Sequence, residues 1–111
     1  MAVLLLPRPA FVSAVTQRIA WLAENRTEEQ LDAFLAGLTW VRDRIAQNPE
    51  GGPLIRRDAD HVLRLRLFPR PMPYLVYYAF EARAPITRVY AVRLYASGQR
   101  RPRIQMSQWP W

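Results

Sequence analysis

The hydrophobic period of this chain changes once, and the change falls on a cluster of turn residues. Up to about residue 47, apolar side chains recur at helical spacing; after Asn48-Pro49-Glu50-Gly51-Gly52-Pro53 they alternate. A period of 3.6 turns one stripe of a helix toward a core, whereas a period of 2 turns one face of a strand toward it. Helical residues followed by strand residues, in 111 residues with no internal repeat and no dividing linker, predict one α+β domain spanning 1–111.

In the helical half, Phe11, Val15, Ile19 and Leu22 form a stripe over about Ala10 to Asn25, with Pro9 where a first-turn proline is tolerated. Asn25-Arg26 interrupts it. Thr27 then opens a second helix with Gln30 three residues on, the spacing of a capping box, and Glu28, Glu29 and Asp32 complement its dipole. Leu31, Phe34 or Leu35, Leu38, Val41 and Ile45 continue the stripe to about Gln47. So short a link predicts an antiparallel helical hairpin. Ahead of it, Met1-Ala2-Val3-Leu4-Leu5-Leu6 lacks a basic segment and is interrupted by Pro7 and Pro9, so it reads as a short buried strand rather than a signal or membrane segment.

In the second half, Leu63-Arg64-Leu65-Arg66-Leu67 alternates cleanly. Tyr74 to Phe80 is rich in aromatic and β-branched residues, and Ile86 to Tyr95 supplies a third run. Three runs with short links predict an antiparallel meander. The expected fold is therefore a short N-terminal strand and a two-helix hairpin on a three- to four-stranded, mostly antiparallel sheet. The hairpin is expected to bury Leu63, Leu65 and Leu67, leaving Arg64, Arg66 and Arg93 together on the open face. A basic, aromatic tail begins at about residue 97.

Charge narrows the functional classes. All sixteen basic residues are arginine, and cysteine is absent, which excludes disulfides and thiolate metal sites and suits a reducing cytoplasm. Residues 1–50 carry a net charge of −1, while residues 51–111, with eleven arginines against three acids, carry +8. A field this one-sided attracts nucleic acid or an acidic protein, and guanidinium forks bind phosphate or carboxylate bidentately. With one histidine, His61, and scattered carboxylates, neither a metal nor another cofactor is expected.

The order and spacing of Asn48-Pro49-Glu50-Gly51-Gly52, Leu63-Arg64-Leu65-Arg66, Pro73-Tyr74-Leu75-Val76-Tyr77-Tyr78 and Val89-Tyr90-Ala91-Val92-Arg93 resemble the RelE/ParE superfamily of bacterial type II toxins. The likeness runs to about Pro102. It implies a growth-arresting toxin, neutralised in a hetero-oligomer by a cognate acidic antitoxin. In the RelE branch the target is messenger RNA on the ribosome, cut by basic residues with a C-terminal tyrosine or histidine. In the ParE branch the target is DNA gyrase.

Residue by residue, the resemblance gives Arg64, Arg66 and Arg93 as the ribonuclease candidates. Tyr74 stands where the RNA-cutting branch often carries arginine. Attack by a 2′-hydroxyl needs a base, cations and an acid. Arginine is a poor base, and no tyrosine or histidine follows Tyr95. The balance leans to the gyrase branch, with Arg64, Arg66, Tyr74, Arg93, Arg100, Arg101, Arg103, Trp109 and Trp111 as the target-binding set. Trp109 and Trp111 either fold back on the sheet or wait for a partner. His61 reads as a solvated residue at a strand entrance, and Tyr74, Tyr78 and Tyr90 as core rather than as stacking platforms. A small nucleic-acid-binding module that is no toxin is the competing class.

Overall fold

The computed structural model describes residues 3–109, and the chain is α+β as expected. Strand β1 (Leu4–Pro7) leads into helices α1 (Pro9–Asn25) and α2 (Glu28–Gln47); β2 (Leu54–Arg57), β3 (His61–Leu67), β4 (Tyr74–Glu81) and β5 (Arg88–Ala96) follow. The sheet has five strands in the order β1-β5-β4-β3-β2, with β1 parallel to β5 and the rest antiparallel. One strand more than expected forms, because the run after Pro53 pairs with β3 as an edge. It is hard to see in sequence, since Leu54 and Ile55 are both exposed and no alternation marks it. At the other edge β1 is half-buried rather than buried, with Leu4 exposed.

The hairpin forms for the reasons the sequence supplies. Thr27 Oγ1 accepts from the Gln30 amide at 3.2 Å and Gln30 Oε1 accepts from the Thr27 amide at 3.3 Å, so two otherwise orphaned donors are satisfied. Of the alternatives for the α2 stripe, Phe34 faces the core at 0 % exposure and Leu35 faces out. Gly37 lets α2 approach the Phe68 ring, into which a Cβ at that position would project.

The sheet faces are reversed relative to expectation. The helix-side core joins Leu22, Phe34, Val41 and Ile45 to Val62, Phe68, Val76, Tyr78 and Phe80. Leu63 and Leu65 lie on the opposite face with Leu75, Tyr77, Ala79 and Val92, and Leu67 is 61 % exposed. Alternation sets leucines and arginines against each other but does not say which set meets the helices. Val62 and Phe68 share the arginine parity and decide it: Phe68 stacks on Phe34 with ring centroids 5.7 Å apart. Arg64 and Arg66 thus point to the helix side, in the gap past the end of α2.

That gap is closed by Tyr78, fully buried opposite Arg64 in the β3–β4 ladder. Its hydroxyl donates to the Pro49 carbonyl at 2.6 Å and accepts from the Gly52 amide at 3.2 Å. Gly52 is required there, since a Cβ would run into the Leu65 carbonyl and the Tyr78 hydroxyl. Burial raises the Tyr78 phenol above its ordinary pKa, the Gly52 amide and the charges of Arg66 and Arg64 opposing it. Tyr78→Phe, which leaves both backbone groups without this partner, is expected to lower the unfolding free energy by about 1–3 kcal/mol in urea titrations. Because the folded state holds this proton more tightly, its contribution is complete below pH ~10 and is lost as pH rises through the raised value. The variant should therefore lose stability less steeply above pH ~10, with Tyr95, also raised by burial, adding a loss of the same sign to both proteins.

Candidate functional site

The expected basic face divides in two. Arg64 Nη1 donates to the Gly52 carbonyl at 2.8 Å and Arg66 Nη2 to the Asn48 carbonyl at 3.4 Å, so both guanidinium groups are tied to the turn that leaves α2. Their Nε atoms are buried without a partner among the described residues. These two arginines fasten the turn to the sheet, and they do not share a face with Arg93. A bulge in β5 explains the separation. Tyr77 pairs with Arg93 and Tyr78 with Ala91, so Val92 is the extra residue and the following side chains are re-aimed. Arg93 consequently stands with Tyr77 on the leucine face.

On that face Tyr77 and Tyr95 meet edge to face at 5.1 Å. Burial pushes the Tyr95 phenol upward against the opposing charges of Arg93 and Arg101, with Tyr77 adding to the rise. A phenol so placed is protonated at neutral pH and can donate a hydrogen bond or a proton; the neighbouring arginines can hold an anion. Tyr77 and Tyr95 were not among the residues singled out from sequence. Tyr95 was within reach, two positions after Arg93 on one face of a strand; Tyr77 was not, because its register with Arg93 depends on the bulge.

The C-terminal tail covers much of the same face. Ile104 is buried against it, with Met106 and Trp109 packed beside it, and Arg56 Nη1 donates to the Ile104 carbonyl at 3.4 Å. Trp109 stacks on His61 at a centroid distance of 4.1 Å and meets Tyr90 edge-on at 5.1 Å. In the strand register Leu63, Ala79 and Tyr90 run side by side, and the small Ala79 leaves room for the indole between β3 and β5. Trp109 therefore folds back on the sheet, and His61 is packed rather than solvated, its side chain 19 % exposed. Arg100, Arg101 and Arg103 remain exposed on the tail; Trp111 lies outside the described residues. Tyr74 is separate from all of these, on the helix side against Phe34 and Phe68.

His61 is held from behind. Asp58 Oδ1 accepts from the amides of Asp60 at 2.8 Å and His61 at 2.7 Å, and lies 3.5 Å from His61 Nδ1. Those amide bonds, the Asp60 one foremost, hold the Asp58 carboxyl below its ordinary value. His61 and Tyr95 lie toward opposite ends of the face, since His61 pairs with Glu81 and Tyr95 with Leu75. Among the described residues no three histidine, cysteine or acidic side chains group closely enough to hold a metal ion, and no helix is long and apolar enough to cross a membrane.

No protein-family model and no curated protein sequence matches the chain.

The docking of the tail gives a direct expectation. Trp109→Ala should lower the unfolding free energy by about 1–3 kcal/mol, less than for a wholly buried indole, because Trp109 is partly covered. Denaturant titration of the variant measures it; unchanged stability would mean that the tail does not rest on the sheet in solution.

Proposed function

We propose that this protein is the toxin of a type II toxin–antitoxin module of the RelE/ParE kind, and that it acts by binding DNA gyrase. The observation that carries the reading is the arrangement of elements: a first strand parallel to the last, a helical hairpin, and an antiparallel meander within the half of the chain that carries eleven of the sixteen arginines. In outline this is the short first strand, helical hairpin and meander that the sequence motifs imply for such toxins, with β2 as one further edge strand. Action by binding is supported by the use made of the basic residues. Arg64 and Arg66 are engaged with backbone carbonyls, and His61 is packed against Trp109 with its amide bonded to Asp58. The exposed Arg100, Arg101 and Arg103 are available to a macromolecular target, beside an aromatic tail.

A second reading, ribosome-dependent cleavage of messenger RNA, is favoured by one observation: the Tyr95 phenol is raised by burial within the field of Arg93 and Arg101. That group offers a general acid and cations for a phosphate, but no base for the 2′-hydroxyl. In either case the neutralising partner is an acidic antitoxin that pairs carboxylates with the basic half, in a cytoplasmic hetero-oligomer.

Expression from a tightly controlled promoter in a bacterial host is expected to arrest growth, with filamentation and DNA-damage signalling. Arrest with messages cut inside translated regions, relieved by Tyr95→Phe, would replace gyrase with the ribosome as the target. Normal growth with soluble, folded protein would overturn both readings.

A further inference from the structure

The second large feature of the surface lies away from the tail. Between the helical hairpin and the proline-rich β3–β4 connection runs a groove of about 870 Å³. Ala33 and Ala36 of α2, Met72 of the connection and the rings of Trp21 and Trp40 give it an apolar lining that reaches the buried Leu22. A second cavity, of about 320 Å³, opens between α1 and the end of β5. The side-chain amides of Gln17 and Gln99 line it, in front of the buried Leu94 and Tyr95. Arg18, Trp21, Tyr74 and Ala96 line both, so the two form one depression that changes character at Arg18.

Arg18 is restrained at that junction. Its guanidinium lies 5.2 Å from the Trp21 centroid and 5.5 Å from the Tyr74 centroid, within cation–π reach of both rings. Such contacts hold an arginine in place while leaving N–H donors at its edge. It enters no ion pair; among the described residues those are Arg42–Asp43, Arg83–Glu81 and His61–Asp58. Gln99 Oε1 accepts from the Ala96 amide at 3.0 Å, which fixes that side chain and leaves its NH2 group as a further donor. Arg26, 4.7 Å from the Trp21 centroid, and Arg70 add positive charge to the groove against one acid, Glu29.

We propose that this depression binds a small anionic amphiphile, its apolar chain in the groove and its anionic head on Arg18 and Gln99. A volume of this size, apolar walls and a few convergent polar groups are the marks of a small-molecule site. The order of the lining favours such a ligand over a protein segment. Arg18, Gln17 and Gln99 gather at one end and the alanines and Met72 lie at the other, whereas an amphipathic helix is polar along its whole outer side. A membrane surface is flat and does not enter a concave groove, and nucleic acid has no apolar chain to lay in it. The inference goes beyond the toxin reading: it involves neither target nor antitoxin and is tested without any growth assay.

The test uses the full chain and sodium decanoate, below its micelle concentration, by isothermal titration calorimetry. Decanoate is expected to bind at a single site. Octanoate, shorter by two methylenes, should bind ~10-fold more weakly. Decyltrimethylammonium, with the same chain and the opposite head charge, should bind at least ~10-fold more weakly. Ala36→Glu, at an exposed position of α2 in the groove, should weaken decanoate binding by ~10-fold or more, as should Arg18→Gln at the junction. Arg88→Gln removes the same charge as Arg18→Gln outside both cavities and should leave affinity within ~2-fold. Circular dichroism checks that each variant is folded. Absence of decanoate binding, equal affinity for the cationic amphiphile, or an unchanged affinity in either cavity variant would overturn the proposal. So would an acidic amphipathic peptide, or vesicles of anionic lipid, that bind and lose binding on Ala36→Glu while decanoate does not bind.

Discussion

Strand β4 imposes the central constraint. From Leu75 to Phe80 every side chain is buried, although successive residues point to opposite faces. A strand at the middle of a sheet with six consecutive buried residues needs cover on both sides. The helical hairpin supplies it over Val76, Tyr78 and Phe80; the tail supplies part of it over Leu75, Tyr77 and Ala79. Without either layer, aromatic and branched side chains of the central strand would meet water. The tail is thus a structural layer first, and whatever contact its arginines make is built on that packing.

Much of this was legible in sequence, and the reasons differ by element. The helices announce themselves by period and by the Thr27–Gln30 cap, both local properties of the chain. The meander follows from alternation and proline-rich breaks. What alternation cannot give is the sign of a face, and the arginine pair shows why: a guanidinium on a long aliphatic stem can lie along a core and still reach a carbonyl at its rim. Arg64 and Arg66 do this with Gly52 and Asn48, helped by the Tyr78 hydroxyl on the same turn. The decisive residues were Val62 and Phe68, at the two ends of the motif rather than within it.

The site was less legible than the fold because it depends on long-range register. Arg93 was identified as a residue of interest, yet its partner Tyr77 comes from another strand. A single bulged residue, Val92, sets which side chains accompany it. A groove lined by Trp21, Trp40 and Met72, between the helical hairpin and the β3–β4 connection, is no more legible in the sequence. Trp21 and Trp40 lie nineteen positions apart on different helices, and nothing local joins them until the hairpin folds.

The pairing of β1 with β5 has a consequence for how the molecule comes into being. Leu4 to Pro7 lie in register with Arg88 to Ala91, so the first strand has no partner in the sheet until the last one exists. At synthesis rates of about 5–20 residues per second, the roughly eighty intervening residues take on the order of 4–16 s to appear. During that interval the two helices can form, since their hydrogen bonds are local, while one sheet edge waits. Closing the sheet then joins segments far apart along the chain, the kind of contact that slows folding. The β1–β5 edge therefore closes only after β5 has been made, whereas the hydrogen bonds of the helices do not wait for it.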